Sequence, residues 1–210
     1  MAPSNDSDLL WARQLRKQGD LAASREMLDV SSAAQDTTLR AYLLQTLGAA
    51  QDAETRELLT MYLIADPEAP VRSMAAQALG RIGSSWAVPQ LLDALTDQEK
   101  TVREAAALSL GTIGDLRAVH ALCDVLNADE SAMTRSGAAA ALGRIGDPAA
   151  TRTLMMALND ERLIVRRDAA RSLASVGGGE EVRQAVREMA RSLRNVLIWP
   201  SIRKVMRQLS

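Results

Sequence analysis

The segment VRSMAAQALGRIG at residues 71–83 returns as VREAAALSLGTIG at 102–114 and, blurred, as TRSGAAAALGRIG at 134–146. Extending the register both ways places Arg at 40, 72, 103, 135 and 166 and Leu at 47, 79, 110, 142 and 173, each column stepping by 32, 31, 32 and 31. A period in this range marks a solenoid, because one supersecondary unit cannot bury its apolar face alone and stacks on its neighbours instead. Burial must be aliphatic. With no Phe, two Tyr and three Trp in 210 residues, the core falls to Leu, Val, Ile, Met and Ala, which favours packed helices over a sheet sandwich.

Each unit reads as two helices. Ser84 caps a first helix carrying Val88, Leu91, Leu92 and Leu95 on one face, the i, i+3, i+4, i+7 pattern of an amphipathic helix. After the polar turn TDQEK, a second helix carries Val102, Ala105, Ala106, Ser109, Leu110 and Ile113, and Gly114 closes it. Its small inward residues let neighbouring helix axes approach. Gly146, Asp147 and Pro148 read as stop, N-cap and first helical residue, and Asp66 with Pro67 reads the same way at the other turn. Four pairs stand six apart: Asp66 and Arg72, Asp97 and Arg103, Asp129 and Arg135, Asp160 and Arg166. Each turn carboxylate can cap its own helix while facing an Arg from a neighbouring unit, a structural ladder of charge-assisted bonds. Ala34 replaces the aspartate six before Arg40.

The second helix, its pattern VRxxAAxALGxIGD, the turn aspartate and the period near 31 resemble short HEAT repeats of the phycobilisome-lyase-like class over residues 36–190. The implied fold is an all-α, HEAT-like solenoid of about six helix pairs forming a single domain over residues 1–210. Residues 7–35 supply an N-terminal cap pair, and residues 191–210 supply a basic amphipathic C-terminal cap. That last segment follows Gly177, Gly178 and Gly179, is broken by Pro200, and combines Leu197, Ile202, Val205, Met206 and Leu209 with Arg194, Arg203, Lys204 and Arg207. Its other reading is a membrane-surface helix.

The resemblance further implies that the second helices line the concave face. Spacing of four keeps positions two, six and ten after the leading Val on one stripe. These columns read Ala41, Ser73, Glu104, Ser136, Arg167; Gln45, Gln77, Leu108, Ala140, Arg171; and Ala49, Arg81, Thr112, Arg144, Ser175. Tyr42, Met74 and Met133 border them. The expected partner surface is therefore Tyr42, Gln45, Met74, Gln77, Arg81, Glu104, Leu108, Arg144, Arg167 and Arg171, with Arg as an interface anchor.

Charge supports an acidic partner. Residues 1–66 hold ten acidic against six basic side chains, residues 67–130 nine against five, and residues 131–210 seven against fourteen. The acidic first two thirds and scarce aromatics weigh against nucleic acid. His120 and Cys123 are the single His and the single Cys, so nucleophilic or metal chemistry would have to pass through them. The repeat register puts Cys123 in an inward column with Leu92 and Met155, and His120 on the exposed convex column with Pro89 and Arg152. No disulfide, metal site, phosphate loop or catalytic triad is written in the chain.

The expected function is a non-enzymatic protein-binding scaffold or adaptor without a cofactor. The alternative implied by the resemblance is a phycobilisome-related protein, a bilin lyase or a degradation adaptor, with a phycobilin as cofactor, a phycobiliprotein as partner and Cys123 as bilin contact. The polar start MAPSNDSDLL and the absence of a long apolar run fit a cytoplasmic protein with no transmembrane segment.

Overall fold

The computed structural model describes residues 6–19, 21–33, 36–49, 52–176 and 184. Among them are eleven α-helices and no strand: α1 (Asp6–Gln18), α2 (Leu21–Ala33), α3 (Thr37–Leu47), α4 (Ala53–Ala65), α5 (Ala69–Ile82), α6 (Val88–Ala94), α7 (Lys100–Ile113), α8 (Val119–Ala128), α9 (Ala132–Ile145), α10 (Thr151–Ala157) and α11 (Leu163–Val176). The all-α repeat fold expected from the register is present. α1 and α2 fall where the N-terminal cap pair was expected, whereas Gly177–Gly179, Pro200 and the cap at 191–210 lie outside the described residues.

The helices fall into two compact units, Met1–Ser109 and Leu110–Ser210, with the division inside α7. In the first, α2 and α5 pack against α3, and α4 packs against α5. In the second, α9 packs against α8 and α11, and α10 packs against α11. The repeated Leu column forms the core: Leu47, Leu79, Leu110, Leu142 and Leu173 are all fully buried, each worth about 2 kcal/mol relative to an exposed side chain.

Small residues set the helix spacing. A Cβ on Gly111 would stand 2.5 Å from the Cα of Ala141, so α7 approaches α9 more closely than any other side chain permits. In the first unit Gly80 of α5 meets Ser109 in the same way, and the Ser109 hydroxyl donates to the Ala76 carbonyl at 2.9 Å.

The turns refine the expected boundaries. Gly83, Gly114 and Gly146 close α5, α7 and α9 with φ between 71° and 76°, the left-handed conformation that only glycine takes without strain. The first helix of a repeat then begins with a 3₁₀ turn, at Ser85–Ala87, Leu116–Ala118 and Pro148–Ala150. Ser84, Asp115 and Asp147 cap these turns by accepting from the amide two residues on. Asp66 and Pro67 do different work from Asp147 and Pro148. Asp66 ends α4 in extended conformation and its carboxylate accepts the Glu68 amide at 2.9 Å, while Pro70 occupies the first turn of α5.

Candidate functional site

In the first unit, Arg72 of α5 donates from Nε and Nη2 to the two carboxylate oxygens of Asp97 at 2.8 and 3.0 Å. Its Nη1 donates to the carbonyls of Asp66 and Pro67 in its own turn, and Asp97 also accepts the Glu99 amide at 2.8 Å. One guanidinium thus binds two consecutive turns. Arg40 reaches Asp66 through a single contact of 3.4 Å, and Arg103 Nη1 holds the carbonyls of Asp97 and Gln98.

The second unit repeats the device. Arg135 of α9 donates to both oxygens of Asp160 at 2.8 and 3.0 Å and to the carbonyls of Asp129 and Glu130. Asp129 and Asp160 accept the amides of Ser131 and Arg162. Arg166 holds the carbonyls of Asp160 and Glu161. Burial is the largest single influence on the carboxyls of Asp97 and Asp160 and works to raise them, but the bonds from Arg72 and Arg135, the amides of Glu99 and Arg162 and the charges of Arg103 and Arg166 together outweigh it and hold both below the ordinary carboxylate range. These polar atoms are spent on the stack.

The surface stripe divides between the units. In the first, Gln77 and Arg81 are exposed, while Tyr42, Gln45, Met74, Glu104 and Leu108 are half-buried. The structure brings Arg81 to α3, where its guanidinium donates to the Gln45 carbonyl at 2.9 Å and packs over Gly48. In the second, Arg144 and Arg171 are exposed and Arg167 is half-buried. Arg144 donates to the Thr112 hydroxyl at 3.3 Å.

Ser136 departs from the outward column: it is 5% exposed, and its hydroxyl donates to Asp168 at 2.5 Å. Asp168, itself 7% exposed, also accepts two bonds from Arg167 at 3.0 and 3.2 Å and one from Arg171 at 3.4 Å. A buried carboxylate therefore orients two arginines at the surface. Its hydrogen bond with Asp168 raises the Arg167 pKa above the ordinary arginine value. Sequence reasoning passed over Asp168. It sits in the column Tyr42, Met74, Ala105, Gly137, where a carboxylate is out of place.

Cys123 is half-buried, not enclosed as the inward column implied. The fully buried column of the first helices is Leu91, Leu122 and Leu154, one position earlier, while Leu92, Cys123 and Met155 flank it. Burial pushes the Cys123 thiol up, and Asp124 and Asp147 add to this against a hydrogen bond with Thr153. The group is held as a thiol at neutral pH. His120 lies exposed as expected, with Nδ1 3.1 Å from Asp124. Among the described residues no cluster of three His, Cys, Asp or Glu is arranged to hold a metal, and no helix is long and apolar enough to cross a membrane.

Solved structures share this fold. The complex of CpcE and CpcF of phycocyanin lyase from Nostoc sp. PCC7120 is 20% identical with a TM-score of 0.64, the match covering 88% of this chain and 94% of that one. The E. coli protein YibA is 17% identical with a TM-score of 0.64, covering 94% of this chain and 85% of that one. A designed armadillo repeat protein in complex with the peptide (KR)4 is 18% identical with a TM-score of 0.62, covering 94% of this chain and 98% of that one. At these identities the likeness is one of fold. No curated protein matches the sequence significantly. The pattern of HEAT repeats matches residues 25–111, 59–143 and 119–197, and with the paired helices and Arg–Asp ladder already described, the chain belongs to the HEAT-repeat family.

Proposed function

We propose that the chain is a non-enzymatic protein-binding scaffold or adaptor that takes an acidic surface of its partner on the exposed stripe of its second helices. The observation that carries this reading is the Asp168 cluster. A buried carboxylate that fixes Arg167 and Arg171 lowers the ordering cost of presenting two guanidinium groups to a carboxylate-rich surface. Arg144, exposed on α9 of the same unit, adds to the positive potential. HEAT-type repeats present extended surface for such contacts, and proteins of this fold include one solved with a bound peptide.

The test is affinity capture from a lysate of the source organism with wild type and with an Arg144→Glu/Arg171→Glu variant, at low and moderate salt. A partner retained by wild type, weakened by salt and lost by the variant is the expected result. Equal capture by both proteins moves binding off the stripe.

A second reading is favoured by the fold shared with phycocyanin lyase across 88% of this chain and by the partial exposure of Cys123. On it, the chain handles a phycobilin or a phycobiliprotein. The same eluate decides, through its visible absorption spectrum. Bilin colour retained on the denatured chain and lost in Cys123→Ser supports the second reading, and a colourless eluate removes it.

A further inference from the structure

The first unit carries a trough that the arginine stripe does not use. Leu10, Arg13, Gln14 and Lys17 of α1 and Tyr42 of α3 line a groove of about 920 Å³. The four α1 residues are all exposed, Leu10 to 61%, so the groove is an open channel along the helix and fits a length of chain better than an enclosed small molecule. Arg13 and Lys17 stand four apart on one face, where like charges oppose each other. Among the described residues neither makes an ion pair or hydrogen bond. Lys17 lies in the last turn of α1, where the helix dipole favours a cation, but Arg13 stands a turn earlier and gains little from it.

These two cations are also local. Residues 1–66 hold ten acidic against six basic side chains, so a polyphosphate backbone extending beyond the groove would meet net negative charge. A short segment with a few carboxylates would not.

We propose that the α1–α3 groove docks an acidic peptide segment of a partner protein, its carboxylates against Arg13 and Lys17 and an apolar side chain against Leu10 and Tyr42. This site needs α1 and α3 alone and shares only Tyr42 with the stripe proposed above, none of its arginines.

The probe is a fluorescein-labelled peptide of Glu and Leu, followed by anisotropy on the full chain, with a Lys/Leu peptide of equal length as control. Wild type is expected to favour the acidic peptide by at least about tenfold, with affinity falling as salt rises. Arg13→Glu/Lys17→Glu should lose about tenfold, and the milder Arg13→Gln/Lys17→Gln about threefold. Circular dichroism checks each fold, and the glutamine pair decides if the reversal costs structure. Arg144→Glu/Arg171→Glu should bind as wild type does, which separates this site from the stripe. Unchanged affinity in both groove variants overturns the proposal, as does equal binding of the two peptides. Displacement of the peptide by a single-stranded oligonucleotide of equal charge, or a wild-type dimer abolished by the groove substitutions, assigns the groove to another occupant.

Discussion

Arg72 and Asp97 show how one residue pair serves two turns. Arg72 ties its own turn through two carbonyls and the next turn through a carboxylate, so losing the carboxylate leaves a partly buried cation unmatched. Because the Asp97 pKa is depressed in the folded chain, its stabilisation is fully present above the ordinary aspartate value of 3.8 and is lost as pH falls through the lower folded value. Asp97→Asn should therefore cost about 2 kcal/mol in denaturant unfolding at neutral pH, and its deficit should shrink as pH drops below 3.8. A deficit that does not change with pH would mean that packing, not charge, sets the cost. The ladder residues were legible in the sequence because a repeated role leaves a repeated residue at a fixed interval. Asp168 was not, because it acts once: a carboxylate in a column of Tyr42, Met74, Ala105 and Gly137 has no second copy to reveal it, and only the folded chain brings Ser136 to it.

Helix elements are held by two kinds of glycine with opposite sensitivities. Gly111 has an ordinary helical backbone but no room, since its added Cβ would meet the Ala141 backbone at 2.5 Å. Gly114 has open space around it but φ of 76°. Helix propensity favours alanine over glycine by about 1 kcal/mol at an interior site, which would stabilise Gly111→Ala if the interface could yield. Backbone cannot move aside as a flexible side chain can, so overpacking of about 1–3 kcal/mol wins. Gly111→Ala should lower the thermal midpoint, and pairing it with Ala141→Gly should restore part of the loss because the replacement removes the opposing methyl. Gly114→Ala should cost about 1–2 kcal/mol with no rescue from Ala141→Gly. Equal rescue of both variants would mean that the α7–α9 contact is not what Gly111 protects. The repeated Ala and Gly positions made this close approach readable from sequence. The 3₁₀ starts of the first helices were not, because Ser84, Asp115 and Asp147 are equally good caps for either kind of turn.

At the scale of the molecule, a repeat protein gains stability from each unit and its neighbours instead of one shared core. The described residues fit that pattern: Arg72 and Asp97 link turns within the first unit and Arg135 and Asp160 within the second, each bond acting over one repeat interval. A defect in one ladder step should then open the repeats beside it before it reaches the others, in the manner of local unfolding. Arg135→Ala removes the guanidinium that holds Asp160 and the carbonyls of Asp129 and Glu130. Amide hydrogen exchange measured by mass spectrometry should quicken by about tenfold or more in α9, α10 and α11, corresponding to about 1.4 kcal/mol of local stability, while α3, α4 and α5 change little. The mirror experiment, Arg72→Ala, should quicken exchange in α5 and α6 and leave α10 and α11 near wild type. Equal acceleration everywhere in both variants would show one cooperative transition, and the ladder would then be a set of contributions to a common total. Confined acceleration would instead mean that the stripe around Asp168 and the groove beside Arg13 can be altered separately, each tuned by the repeats that carry it.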